Sequence, residues 1–327
     1  MAAVEGVPVT RPRAAPPALL AVALLLLAGC APVPSSAPPI GGASAEVPRP
    51  ADAVELTAPP SAAEAAPESC DPTASLRPTA QAGGPTLDRI RARGRLVAGV
   101  DQNTYLMGFR NPSSGELEGF DVDMAREVAR AVLGDPAAIR FRVLTSDERI
   151  PALERGEVDV VVRTMTVTCE RWRRVDFSTV YHQAGQRVLV PANSTAIGLE
   201  SLGGRKVCAT KGSSSLAFVA RARPRPVAVS VPNWTDCLVM LQQGQVDAIS
   251  TDDTILAGFA AQDPYTKVVG PRLTAEPYGM AFPKGAEDFV RFTNALLERL
   301  RADGTWAAVH GRWLGPPPAP PAAVYRD

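Results

Sequence analysis

Valine-rich segments alternate with amphipathic segments along residues 86–315, and this alternation constrains the fold more than any other feature of the chain. Residues 158–162 are apolar enough for a strand that is covered on both faces. Residues 121–133 place apolar side chains at helical spacing, and residues 286–303 predict a long amphipathic helix. Strands and helices that alternate in this way indicate an α/β class with helices on both faces of its sheets.

Proline is concentrated outside this region. Of the 32 prolines, 12 fall in residues 31–85 and five fall in residues 316–321. The first of these segments is otherwise mostly Ala, Ser and Gly, so it buries too little apolar surface to offset the entropy of ordering the chain. We therefore expect a disordered linker over residues 30–85 and a disordered tail over residues 316–327.

Residues 18–29 form an apolar run that follows Arg11 and Arg13. A helix of this length spans about 18 Å, which is short of the roughly 30 Å hydrocarbon core of a bilayer, so the run suits a signal peptide better than a membrane-spanning helix. It ends in Leu-Ala-Gly-Cys, which resembles the lipobox of bacterial lipoproteins. We predict a signal peptide over residues 1–29 and a lipid on Cys30. In the alternative, the signal is an ordinary secretory one and Cys30 is incidental.

The composition argues against several classes of function. Lys plus Arg and Asp plus Glu both number 34, so the formal net charge of zero gives no electrostatic basis for binding nucleic acid. The two histidines, His182 and His310, leave little for a metal site or for a histidine general base. The glycine-rich strings do not match a nucleotide-binding template. We therefore expect neither a metal nor a cofactor.

Four strings of residues resemble the polar amino-acid branch of the extracellular solute-binding proteins of ABC transporters. They are EGFDVDMAREVA at 118–129, RIPALERGEVDVVV at 149–162, TMTVTCERWRRVDFSTVY at 164–181 and GQVDAISTDDTILAG at 244–258. The likeness runs from about Arg91 to Leu314. It implies a type II periplasmic-binding-protein-like fold, in which two α/β lobes are joined by two hinge crossings.

Candidate site residues fall in both halves of the chain, which sets the expected lobes. We expect lobe 1 to comprise residues 86–190 and 274–315, and lobe 2 to comprise residues 193–270. The two crossings are expected near residues 191–193 and 270–277. A hinge motion about these crossings would close the lobes on a small ligand.

Export changes the interpretation of the remaining cysteines, because disulfides form in oxidising compartments. Cys70, Cys169, Cys208 and Cys237 are four, and four cysteines allow three pairings. In a cytosolic chain they would instead be buried free thiols. Cys208 and Cys237 both lie in the expected lobe 2, so we predict that they pair. Cys70 and Cys169 remain, and their pairing would tie the end of the linker to lobe 1.

The resemblance also implies where an amino acid binds through its carboxylate. Arg171 ends the string Thr-x-x-Glu-Arg, whose arginine holds the α-carboxylate in this family; its planar guanidinium suits a carboxylate, and alone it would be interpreted as a surface salt bridge. Thr164 and Thr166 occupy the family's places for small or hydroxyl residues. Ser213 and Ser214 open a helix, where free N–H groups attract the same carboxylate. For Ser213, plain helix capping is compatible with that role.

The ammonium group of the ligand is expected on the other lobe. Asp252 ends a strand at the cleft, where open α/β sheets bind ligands, and the resemblance implies that it takes the ammonium. Asp253 would instead cap the following helix.

The residues that select the ligand side chain give two signatures. Ser146 and Arg149 match a pattern of relatives that bind glutamate and aspartate, whereas Asp101 stands where glutamine-binding relatives hold the amide. Trp234 is expected to form a wall of the cleft. Arg163 is a further cation near the site. We favour a dicarboxylic amino acid, with the corresponding amides also accommodated.

These features predict a lipid-anchored binding protein on the outer face of the cell membrane that captures a polar amino acid for an ABC transporter permease. One alternative is a sensor of the same fold that signals to a membrane protein. Another is a dehydratase, as some relatives are. That chemistry needs a carboxylic acid of raised pKa over a leaving group, and only Asp101 occupies a suitable place, so no enzymatic activity is predicted.

Overall fold

The structure is a computed structural model that describes residues 47–58, 70–79 and 83–327. The expected signal peptide and Cys30 lie outside the described residues. Within the described ranges, none of the helices combines the length and the apolar character needed to cross a membrane.

Short strands and helices alternate along most of the described chain. The strands are β1 Val54–Glu55, β2 Ala74–Ser75, β3 Leu96–Val100, β4 Asn103–Thr104, β5 Gly108–Arg110, β6 Leu117–Glu118, β7 Ile139–Val143, β8 Val160–Val161, β9 Val175–Phe177, β10 His182–Ala184, β11 Gln186–Pro191, β12 Lys206–Thr210, β13 Val227–Val231, β14 Ala248–Asp252, β15 Thr266–Val269, β16 Glu276–Tyr278, β17 Ala281–Pro283 and β18 Val324–Tyr325. The helices are α1 Pro85–Arg93, α2 Phe120–Leu133, α3 Arg149–Glu154, α4 Cys169–Trp172, α5 Ser214–Arg221, α6 Trp234–Gln242, α7 Asp253–Gln262, α8 Glu287–Ala302 and α9 Thr305–Leu314, with a 3-10 helix at Leu199–Leu202.

Two large mixed sheets define two lobes. In lobe 1 the strand order is β7-β3-β8-β17-β9, with β3 parallel to β7 and β8, and β17 antiparallel to its neighbours. In lobe 2 the order is β1-β13-β12-β14-β11-β15, with β12 parallel to β13 and β14. Each lobe has its own hydrophobic core. The expected α/β class with two lobes is confirmed.

Helix α2 shows why these elements form where they do. Its apolar side chains recur at helical spacing, and Val122, Ala125 and Val128 are fully buried against the lobe 1 sheet. The helix begins with Asp121 and Asp123 in its first turn, where negative charge is favourable to the helix dipole. It ends at Gly134, whose φ of 81° is a left-handed conformation that glycine adopts readily.

Two antiparallel strands connect the lobes. The chain leaves lobe 1 through β10 and returns through β16, and the two strands pair with His182 opposite Tyr278. The first crossing differs from the expected position near residues 191–193. Strand β11, which the sequence analysis placed in lobe 1, pairs with β14 and β15 in lobe 2, because its apolar residues supply an inner strand of that sheet.

Both predicted disulfides are confirmed. Cys208 of β12 is bonded to Cys237 of α6, with Cα atoms 5.6 Å apart. Cys70 is bonded to Cys169 at the start of α4, with Cα atoms 6.2 Å apart. The second bond therefore ties the segment that precedes the folded lobes to lobe 1.

Parts of the expected linker and tail are ordered. In the described ranges they form strands and hydrogen bonds with the lobes, whereas disorder was expected. Strand β1 extends the edge of the lobe 2 sheet beside β13, and Glu55 forms a 2.7 Å ion pair with Lys206. Strand β2 pairs in parallel with β18 of the tail, and Asn294 of α8 donates to the carbonyl of Leu76 at 2.7 Å. Composition does not predict these contacts. A two-residue strand forms because a neighbouring strand offers it a hydrogen-bonding edge, and that edge lies far away in the sequence.

Candidate functional site

A small cavity of about 10 Å³ lies between the lobes. Its lining is polar and comes from the ends of strands and the starts of helices on both sides: Ser146, Arg149, Thr164 and Arg171 of lobe 1, and Ser213, Ser214, Ser215, Trp234, Asp252 and Ile255 of lobe 2. The cavity adjoins a groove of about 650 Å³ between α3 and α4 of lobe 1 and α5 of lobe 2. Of the predicted site residues, Asp101 and Thr166 do not line the cavity.

Arg171 supplies one of two guanidinium groups at this cavity. Its position follows from helix α4, whose first N–H groups are capped by Thr168; the hydroxyl of Thr168 accepts from the Arg171 N–H at 3.2 Å. The guanidinium donates to the carbonyl of Thr166 at 2.6 Å and to that of Gly212 in lobe 2 at 3.2 Å. These two bonds use only part of the five donors of an arginine, so the group can also hold a carboxylate.

Asp252 presents a free acceptor to the same cavity. Strand β14 ends at this residue, and its Oδ2 accepts from the Tyr278 hydroxyl at 2.5 Å. Its Oδ1 is buried and has no hydrogen-bond partner among the described residues. Burial and then the negative charge of Glu276 raise the pKa of Asp252 to about 8. An unmet buried acceptor is unfavourable, so this atom is suited to a donor that a ligand brings.

The predicted contact of Asp253 with α7 is present in part, because its Oδ1 accepts from the Thr254 N–H in the first turn of the helix at 3.0 Å, but its other partners lie at the crossings. Its Oδ2 accepts from Arg272 at 2.6 Å, and its Oδ1 accepts from the main-chain N–H of Gly185 at 3.2 Å. The side chain thus holds the two crossings beside α7. Asp252, not Asp253, occupies the capping position of α7, although its side chain makes no capping hydrogen bond.

Both predicted serines at the start of α5 line the cavity, and they differ in their hydrogen bonds. Ser213 caps the helix, since its hydroxyl accepts from the Leu216 N–H at 3.0 Å and donates to the Thr210 carbonyl at 2.7 Å. Ser214 donates instead to Glu276 at 2.9 Å.

The two predicted threonines have different surroundings. Thr164 lines the cavity with a φ of 38°, a conformation that costs a residue with a Cβ some strain. Its N–H donates at 2.8 Å to Asp121, which also accepts from the Tyr181 hydroxyl at 2.7 Å. Burial raises the pKa of Asp121 to about 6. Thr166 lies just outside, and its hydroxyl donates to Glu276 at 2.5 Å.

Arg149 is the second guanidinium at the cavity, and it is almost fully buried. It donates to main-chain carbonyls at 2.8–3.3 Å, namely those of Ser146, Arg163, Thr164 and Gly212. No ion pair joins it to a carboxylate of the described residues. Burial, and then the charges of Arg171 and Arg163, lower its pKa. A positive charge held in this way favours an anionic group in the cavity.

Asp101 differs from the predicted ligand contact, because the fold uses both of its oxygens. It forms a buried ion pair with Arg163 at 2.8 Å and accepts from the Thr104 hydroxyl at 2.6 Å. Its other oxygen accepts from the N–H groups of Gln102 and Asn103. The cation beside it therefore neutralises its charge, and Asp101 instead fixes the loop that follows β3.

Glu276 is the site residue that sequence reasoning missed. It lies on the crossing strand β16 and is 96% buried, and its carboxylate accepts from Thr166 of lobe 1, Ser214 of lobe 2 and Thr274. It therefore links both lobes at the groove beside the cavity. No sequence pattern marks it, because Glu276 starts a three-residue strand that is too short to show a periodicity.

Two α/β lobes on two crossing strands, with a polar cavity between them, are the architecture of a two-lobed binding protein for a small solute. The chain belongs to the bacterial extracellular solute-binding proteins, family 3, whose model matches residues 96–316. Members of this family act outside the cytoplasm, which places the chain there as well.

Relatives of known name align with most of the folded part of this chain. An ABC transporter glutamine-binding protein of Bacillus subtilis is 40% identical over 72% of this chain and 86% of its own length. A glutamate-binding protein of Corynebacterium glutamicum is 32% identical over 68% and 79%. Among solved structures, an ancestral arginine-binding protein bound to glutamine superposes with a TM-score of 0.63 at 35% identity, over 68% of this chain and 99% of that one.

Proposed function

We propose that the chain captures a free polar amino acid between its lobes and delivers it to an ABC transporter. The observation that carries this proposal is the pairing, in one buried cavity, of the Arg171 guanidinium with the unmet Oδ1 of Asp252. A free amino acid presents a carboxylate and an ammonium on the same α-carbon. The two protein charges are complementary to those groups and lie on opposite lobes, so the ligand itself would join the lobes.

Arg149 contacts the side chain of the ligand. Its guanidinium is buried without a carboxylate partner among the described residues, which favours glutamate or aspartate. Glutamine is the second candidate, because main-chain carbonyls already occupy most of the Arg149 donors and two relatives, 40% and 38% identical, are named glutamine-binding proteins.

Replacing Arg149 by methionine tests the ligand class. In the wild type we expect isothermal titration calorimetry to detect binding of glutamate and glutamine among the twenty amino acids. In Arg149→Met the affinity for glutamate should fall about tenfold more than that for glutamine, because a hydrogen bond to a charged group contributes about 1.5–3 kcal/mol. The affinity ratio is the informative quantity, because any general loosening of the cavity affects both ligands.

Arg142 offers a matched control for the loss of a guanidinium. Its side chain is 47% exposed and pairs with Glu157 on the surface. Arg142→Met should leave both affinities unchanged. If Arg149→Met leaves the glutamate-to-glutamine ratio at the wild-type value, Arg149 supports the main chain only and the preference for acidic ligands has lost its basis. If no amino acid binds to the wild type, the proposed function is wrong.

We also propose that a lipid on Cys30 anchors the protein to the outer face of the cell membrane. The apolar run at residues 18–29 that ends in Leu-Ala-Gly-Cys supports this. Metabolic labelling with an alkyne fatty acid should mark the wild type, and Cys30→Ser should abolish the label and release the protein into the soluble fraction. Ser35→Ala, five residues further on, is the control and should label fully. If the wild type takes up no label, residues 1–29 are an ordinary secretory signal and the proposed lipid on Cys30 is wrong.

A further inference from the structure

Helix α7 of lobe 2 touches the main chain of lobe 1 at a glycine. Gly258 lies within α7 and is buried. A Cβ placed on it would lie 2.4 Å from the carbonyl oxygen of Tyr105, in the loop between β4 and β5 of lobe 1. Real Cβ atoms do not approach an oxygen so closely, so a side chain at this position requires the two lobes to move apart.

The loop that receives α7 is fixed within lobe 1. Thr104, which precedes Tyr105, donates its hydroxyl to the buried Asp101 at 2.6 Å. The carbonyl of Leu106, which follows, accepts from the N–H of Phe120 at the start of α2 at 2.9 Å. Because hydrogen bonds hold the loop on both sides of Tyr105, it cannot easily yield to a methyl group on α7.

The same helix carries the proposed ammonium acceptor. Asp252 stands at the start of α7, six residues before Gly258. A helix moves as a rigid unit over such a length, so the contact at Gly258 sets how near Asp252 comes to Arg171 on the other lobe. We propose that Gly258 is a positioning residue, whose missing side chain lets the lobes close until both ends of an amino acid are held. The identity of that ligand rests on the proposed function.

The Gly258→Ala variant separates this role from a purely structural one. Alanine is the better helix former, and the clash with Tyr105 arises only when the lobes approach, so the melting temperature without ligand should be equal to or above that of the wild type. The dissociation constant should rise about tenfold or more, as overpacking of a close contact implies. The affinities for glutamate and for glutamine should fall by the same factor, because Arg171 and Asp252 hold both ligands.

Gly311 provides the matched control. It also lies within a helix, α9, and a Cβ there would have no heavy atom within 4 Å. Gly311→Ala should gain helix stability to a similar degree and bind with wild-type affinity. Any difference between the two variants therefore reports the contact with lobe 1.

Lobe closure can also be followed without a ligand. Asn103 of lobe 1 donates to Asn233 of lobe 2 at 3.2 Å, so in a protein that carries Asn103→Cys and Asn233→Cys a short bismaleimide should join the two positions when the lobes approach. Cross-linking should be slower in the Gly258→Ala background than in the Gly311→Ala background. Equal cross-linking rates, equal affinities, or a lower melting temperature in Gly258→Ala would each overturn the proposal. Slower cross-linking in a protein that binds no amino acid would uphold it and reject the proposed function instead.

Discussion

Replacing either Arg171 or Asp252 by alanine is expected to weaken amino-acid binding by about two to four orders of magnitude. Each change leaves one charge of the ligand buried in the cavity without its partner, and removing one member of a buried charge pair costs about 3–5 kcal/mol. Arg171→Ala would also remove the two bonds to the carbonyls of Thr166 and Gly212, one on each lobe.

Asp253→Ala is the control for this comparison, because Asp253 neighbours Asp252 but pairs with Arg272 at the crossings. Its affinity should stay within a few-fold of the wild type. Calorimetry on the three variants, with circular dichroism melts to verify folding, distinguishes the roles. Near-normal binding by a folded Arg171→Ala protein would show that the carboxylate is held elsewhere.

The sequence predicted site residues well where their residue type and the neighbouring string both point to the same role. Arg171 was predicted from the string Thr-x-x-Glu-Arg that resembles the family's, and Asp252 from the same resemblance and from its place at a strand end; both line the cavity. The pairing of Cys208 with Cys237 followed from assigning both to one lobe, and the bond is present. For Arg171 and Asp252 the identifying string lies within a few positions of the residue, whereas the cysteine pair, 29 positions apart, needed the assignment of both residues to one lobe.

Long-range partners account for what was missed. The buried pair of Asp101 with Arg163 joins residues 62 positions apart, so the sequence could indicate Arg163 as a cation near the site but not that this pair withdraws Asp101 from a ligand. Strand β11 looks like any apolar strand until β14 and β15 are seen on either side of it. Gly258 is one glycine in an ordinary helix, and its importance arises only where another lobe meets it.

The pH dependence of binding is the second large effect that the site implies. Burial, and then the charge of Glu276, raise the pKa of Asp252 to about 8, so its carboxyl is mostly neutral at pH 7. An ammonium ion needs the charged form and lowers the pKa of Asp252 when it binds. Binding therefore releases a proton below pH 8, and affinity should rise with pH, by close to tenfold from pH 6 to pH 7 and by about fivefold from pH 7 to pH 8.

Glu276→Gln tests the cause of this shift. The amide keeps an acceptor for Thr166 and Ser214 but removes the charge, so the pKa of Asp252 should fall and the rise in affinity should move to lower pH. Asp121 sets the lower pH limit of this rise in affinity. Its pKa is about 6, so in more acidic solution its carboxyl becomes protonated and the hydrogen bond that it accepts from the Thr164 N–H weakens.

Calorimetry in two buffers gives the direct measurement. At pH 7 the binding heats in Tris and in phosphate should differ by the ionisation heat of nearly one proton, because these buffers take up the released proton with different enthalpies. Asp252→Asn cannot release a proton and should show no difference at the ligand concentrations that still give binding. Identical heats in the wild type would mean that Asp252 is already ionised, and that Arg149 and Tyr278 offset the burial and the charge of Glu276.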